Sequence, residues 1–158
     1  MKNHHLDHWI EDEMSKLIRA ADNPRDFAIL MMFCKTGLRF SELCDLDLSD
    51  IDLERKEISV RHGKRDKPRR IDFDGPTERV LRTYLGAVRK SHSSPLFESQ
   101  NRRRIHTKAI QTMVTKTGKR VGLNVHPHRL RHSFATAWIS DESDIIIFKE
   151  YWATRISP

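Results

Sequence analysis

The stretch HPHRLRHSFAT at residues 126–136 holds the residue types best suited to chemistry. On a helix starting near Pro127, the side chains of His128, Arg131 and His132 stand at i, i+3 and i+4 and share one face. Cationic and hydrogen-bonding groups aimed the same way suit a phosphate or a developing phosphorane, whose non-bridging oxygens need several donors. His128 and His132 also write an H-x-x-x-H pair like that of zinc proteases. The glutamate such a site needs after its first histidine is replaced by Arg129, and flanking arginines repel a divalent cation, so no metal is expected. A buried, hydrogen-bonded structural role for His132 stays open.

A second candidate is Arg39 in TGLRFSEL, where one helix ends and another begins. From there a guanidinium can reach outward while the segment around it packs. By itself the position is uninformative, since an arginine after a helix C-terminus commonly serves as a dipole partner.

The charge of the chain points the same way. Its 158 residues carry 29 Lys+Arg against 22 Asp+Glu, a formal charge of +7, which favours a polyanionic partner through release of its counterions. The basic residues cluster as RHGKRDKPRR at 61–70, NRRRIHTK at 101–108 and HPHRLRH at 126–132. Any one such run is ordinarily a solvated face, but three in one small domain are less easily dismissed. Cys34 and Cys44 come with no signal peptide and lack the paired spacing of a metal knuckle, so a reduced, cytoplasmic chain is expected. The apolar run FAILMMF at 27–33 is far too short to span a bilayer, and no membrane role is expected beyond weak surface attraction; the charge alone does not distinguish DNA from RNA or an anionic membrane.

The elements that must position these residues follow from periodicity. DEMSKLIRAA reads as a helix with Met14, Leu17 and Ile18 on one side, and DNPRD restarts the chain into a second helix from about Pro24 to Lys35. Gly37 is its expected stop, and SELCDL a short helix capped by Ser41. EISVR and RRIDF flank a basic turn containing Gly and Pro, which predicts a β-hairpin with a positively charged tip, joined by a strand at Ile51–Leu53. After Gly75-Pro76, TERVLRTYLGAVRK returns to helical spacing, with Val80, Leu81, Tyr84, Leu85 and Val88 together. SHSSP reads as a loop. Further helices are expected at about Thr107–Val121 and Pro127–Ile139. One domain of α+β class results, mostly helical with a small three-stranded antiparallel sheet.

TGLRFSELCDLDLSDID, a basic hairpin containing GKRDKPRR, and HPHRLRHSFAT, in this order, together resemble the catalytic domain of the tyrosine recombinases, the phage-integrase and Xer-like family. The resemblance covers about residue 10 to at least residue 138. It implies that Arg39 and Arg131 are the two catalytic arginines gripping the scissile phosphate. It implies that His128 acts in proton transfer and phosphate contact, and that Lys64 protonates the leaving 5′ oxygen. The glycine that follows this lysine in the family is Arg65 here, which leaves Lys67 as an alternative. No cofactor is implied. The implied partner is double-stranded DNA, with Arg61, Arg65, Lys67, Arg69, Arg102, Arg103, Arg104, Lys108 and Arg129 as candidate DNA contacts, and with other recombinase protomers on that DNA.

Two departures from the family pattern generate expectations. The family's second histidine or tryptophan, within LGH, and the nucleophilic tyrosine after it are not matched; near position 154 the chain reads WAT. Back-translation of WATRISP with one nucleotide restored forces a glycine codon and permits LGHENIS, so a truncated or frameshifted end after about residue 151 is expected. Trp152 as the His/Trp member and Tyr151 as nucleophile are surrogate readings, the latter in reversed order. Residues 1–10 are only a lead-in, so the expectation is a catalytic domain over 1–158 without an N-terminal DNA clamp, weaker in DNA affinity and weakly associating. The rivals are a non-catalytic DNA-binding module derived from an integrase, a type IB topoisomerase and a basic RNA-binding domain. The last lacks aromatic stacking signatures.

Overall fold

The computed structural model describes residues 13–62, 67–89 and 94–125. Helix α1 is seen over residues 13–19, and its Met14, Leu17 and Ile18 are buried in the core, as their spacing requires.

Helix α2, Pro24–Thr36, is the centre of the molecule. Asn23 caps it by accepting the Asp26 N–H at 2.9 Å, Pro24 opens the first turn, and Gly37 closes it in the left-handed conformation at φ 68°. Every residue from Asp26 to Lys35 is buried, the signature of a helix surrounded by others rather than lying on a surface. The chain then reverses through Gly37 and Leu38, and the Phe33 and Phe40 rings pack across the turn with centroids 4.6 Å apart.

Helix α3 runs Phe40–Asp45, with its N-cap at Arg39, two residues earlier than the expected Ser41. The correction has a packing cause. Starting at Phe40 drives that ring and Leu43 into the core, where both are buried, and leaves Ser41 on the exposed side. A 3₁₀ turn, Leu48–Asp50, leads into the sheet.

Strands β1 (Ile51–Asp52), β2 (Glu57–Val60) and β3 (Arg69–Asp72) form an antiparallel sheet in that order, so the three-stranded sheet expected from the sequence is present. Ile58 pairs with both Ile51 and Ile71, and Val60 pairs with Arg69. Because strand side chains alternate, Ile58, Val60, Arg69 and Ile71 share the core-facing side, while Ser59 and Arg70 face out.

Helix α4, Gly75–Thr83, is capped by Asp74, whose carboxylate accepts from the Thr77 N–H at 2.9 Å and from its hydroxyl at 2.6 Å. It passes into a π-helical turn at Tyr84–Val88, which periodicity had merged into one helix. Tyr84 is core, its ring 5.5 Å from Phe97. Helix α5 covers Thr107–Arg120 and buries Ile110, Val114, Thr117 and Gly118. The helix expected over Pro127–Ile139 lies outside the described residues. Among the described residues no helix is long and apolar enough to cross a membrane.

Candidate active site

The site is built around α3. Arg39 stands at its N-cap with 39% of its side chain exposed. One turn on, Glu42 is almost fully enclosed, its side chain 6% exposed. The Glu42 Oε1 atom accepts the Arg39 backbone N–H at 3.1 Å and lies 3.9 Å from Arg39 Nε. Its other oxygen, Oε2, receives Arg69 Nη1 at 2.6 Å. One carboxylate therefore joins the N-cap of α3 to the first residue of β3, across the mouth of the basic hairpin.

Burial alone would push the Glu42 carboxyl up. The Arg69 hydrogen bond, the Arg39 N–H and the charges of both guanidinium groups outweigh it and hold the group below the ordinary value of 4.5. Glu42 is thus a buried anion fixed between two cations. It was missed at the level of sequence, although its place three residues after Arg39, at the third position of a short helix, is where a carboxylate reaches back to the N-cap.

The rest of α3 is held by two arginines expected to touch DNA. A six-residue helix leaves its last carbonyls without helical partners. Arg61 Nη2 donates to Asp45 O at 2.8 Å and to Asp47 Oδ2 at 3.1 Å, while its Nε reaches Asp50 Oδ2 at 3.1 Å. Arg104 Nη1 donates to Cys44 O at 2.9 Å and Leu46 O at 3.2 Å, and its Nη2 to Asp47 Oδ1 at 2.5 Å. Arg61 and Arg104 are cross-braces of the α3 terminus as the structure stands.

The second support is an ion pair at the end of α2. Lys35, in the last turn of α2, places its Nζ 2.9 Å from Asp74 Oδ2, with only 5% of its side chain exposed. Asp74 also caps α4, so a single residue links the end of β3, the start of α4 and the helix that delivers Arg39. Burial alone would raise the Asp74 carboxyl, but the Thr77 hydroxyl, Lys35 and the Thr77 N–H together hold it below 3.8.

Of the other expected contacts, Lys67, Arg102, Arg103 and Lys108 are exposed, and Arg102 takes a left-handed φ of 60° in the loop before α5. Lys64, Arg65, His128, Arg129, Arg131, Tyr151 and Trp152 lie outside the described residues. Within the described part, the structure brings together Arg39, Glu42 and Arg69, with Arg61 at the same hairpin mouth.

The described residues thus present an arginine held at a helix N-cap by a buried carboxylate, beside a basic hairpin in an α+β domain. The model of the phage integrase family matches residues 9–153, and this chain belongs to that family. It is 42% identical over 143 residues to the tyrosine recombinase XerA of Pyrococcus horikoshii, covering 89% of this chain and 50% of that protein. It is 35% identical over 150 residues to tyrosine recombinase XerC of Lactobacillus delbrueckii subsp. bulgaricus, covering 87% of this chain and again 50% of the relative. The chain thus spans about half the length of these relatives. The crystal structure of XerA recombinase superposes with a TM-score of 0.72 at 31% identity, over 94% of this chain and 63% of that one. The Tn1549 transposon integrase in complex with transposon right end DNA, at 17% identity and a TM-score of 0.65 over 94% of this chain and 60% of that one, shares the fold.

Proposed function

We propose that this chain is the catalytic domain of a site-specific tyrosine recombinase or integrase that binds duplex DNA and grips the scissile phosphate with Arg39 and Arg131. The observation that carries the reading is Arg39, half-exposed and held at its backbone by Glu42, in a chain of the phage integrase family. In the proposed reaction a hydroxyl oxygen attacks phosphorus and the 5′ oxygen leaves. The two guanidinium groups stabilise the charge that accumulates on the non-bridging oxygens. Lys64, or Lys67 in its place, gives the leaving oxygen its proton, and His128 assists proton transfer at the phosphate.

The four matched positions supply charge and protons, and through them the chain binds DNA and polarises the phosphate. Electrophoretic retardation of a duplex oligonucleotide under native conditions tests this. The expected result is a retarded complex that Arg39→Ala weakens. DNA affinity indifferent to Arg39→Ala would overturn the reading.

A further inference from the structure

Arg69 entered as a candidate DNA contact, and the structure, which leaves 39% of its side chain exposed, also gives it a partner in Glu42. Arg69 pairs with Val60 across the β2–β3 ladder and so lies on the core-facing side of the sheet, whereas its neighbour Arg70, opposite Ser59, points outward with 74% of its side chain exposed. From that register Arg69 reaches Glu42 Oε2 at 2.6 Å, a short, charge-assisted bond to a carboxylate that is 94% enclosed.

The consequence lies in what Glu42 leaves undone. Its Oε1 atom holds the Arg39 backbone N–H at 3.1 Å but only approaches Arg39 Nε, at 3.9 Å. A buried carboxylate with no partner on Oε2 would gain most by turning both oxygens onto the nearest guanidinium, which is that of Arg39. Such a fork-to-fork pair would draw the Arg39 donors inward and away from any oxyanion.

We propose that Arg69 is a positioning residue: by occupying Glu42 Oε2 it prevents that carboxylate from closing on the Arg39 guanidinium and leaves Arg39 open to a phosphate oxygen. The inference deepens the function proposed above and rests on it for the identity of the anion. Its geometry, however, is that of Glu42, Arg39 and Arg69 alone. The low-lying Glu42 carboxyl agrees with it, since the group stays charged and in need of a cation across the working range.

The test is a double-mutant cycle read in two ways. In the first, the Arg39 Nε–Hε resonance, assigned by its loss in Arg39→Lys, is followed by ¹⁵N NMR without DNA. Arg69→Gln should shift it and slow its hydrogen exchange about tenfold, the size expected for one new charge-assisted bond, and Glu42→Gln/Arg69→Gln should restore it. In the second, affinity for a duplex oligonucleotide should fall about tenfold on Arg69→Gln when Glu42 is present. In the Glu42→Gln background the same change should cost less than twofold. Circular dichroism checks that each variant folds; Arg69→Lys, which keeps a cation at Oε2, should leave the Arg39 resonance as in the wild type and serves if the glutamine variants do not fold.

An unchanged Arg39 resonance in folded Arg69→Gln, or a shifted one in Arg69→Lys, would overturn the proposal. So would an equal loss of DNA affinity in both backgrounds, the mark of a direct phosphate contact. Should Arg39→Ala leave DNA affinity intact, the functional reading fails while the resonance still decides the role of Arg69.

Discussion

A buried carboxylate between two arginines makes stability depend on pH with a definite sign. The Glu42 carboxyl lies below its ordinary value of 4.5 in the folded chain, so its contribution is full above about pH 4.5, where the unfolded chain is also ionised, and is lost as pH falls through the depressed folded value. Denaturant midpoints measured from pH 6 down to pH 3 should therefore decline, and Glu42→Gln should flatten that decline while lowering stability at pH 6. Equal slopes for wild type and variant would mean that other carboxylates dominate. Arg61 and Arg104 teach the complementary lesson at the same scale. Both sit in runs that look like solvated basic faces, yet each is bonded to the carbonyl groups that end α3. Nothing in an arginine-rich run says which member will find a carbonyl within reach.

The elements are locked to one another by a few buried polar links, and the links explain which substitutions matter. Asp74 caps α4 and neutralises Lys35, which is nearly all buried. Asp74→Ala should cost roughly 3 kcal/mol or more: about 1 for the lost cap and the rest for an ammonium left inside without its counter-ion. Asp74→Asn keeps the cap and should recover about the first part; urea unfolding separates the two. Gly118 sets a different constraint. A Cβ there would meet Val125 Cγ2 at 2.5 Å and Leu123 O at 3.0 Å, so the chain leaving α5 folds back against the helix only because this residue has no side chain. Gly118→Ala should destabilise by about 1–3 kcal/mol, as overpacking does, whereas Gly86→Ala, with nothing within 4 Å, should not be penalised by clash. Comparable midpoints for the two variants would contradict this packing account.

For the whole molecule, a net charge of +7 sets the long-range attraction to a polyanion, but the structure divides the arginines into two classes. Arg102 and Arg103 are exposed, while Arg104 beside them reaches Asp47 and two backbone carbonyls. If the chain binds duplex DNA through exposed cations, the slope of log K against log salt should lose about 0.9 for each phosphate contact removed. Arg102→Ala and Arg103→Ala are expected to reduce it by up to that amount. Arg104→Ala is expected to leave the slope unchanged and to lower the unfolding midpoint instead. Titrations between about 50 and 200 mM salt check this directly.

Much of the molecule was legible before any coordinates. Helical spacing located α1, α2, α4 and α5; Gly37 marked the end of α2; the change to β-branched alternation located the hairpin; and TGLR singled out Arg39. These are local matters, decided by propensity, periodicity and caps within a few residues. The start of α3 at Phe40, the π turn at Tyr84–Val88, and the partners of Arg61, Arg69, Arg104 and Glu42 were not legible. The start of α3 rests on Phe40 packing against Phe33 across a turn, and the arginine partners rest on contacts between segments far apart in the chain: Arg69 on a carboxylate 27 positions away, Arg104 on carbonyls 58 and 60 positions away. Residue types and spacing determined which groups could handle a phosphate. Tertiary structure decided which partner each arginine meets, because that depends on which strand register and which helix end bring a carboxylate or carbonyl within hydrogen-bond distance of its guanidinium.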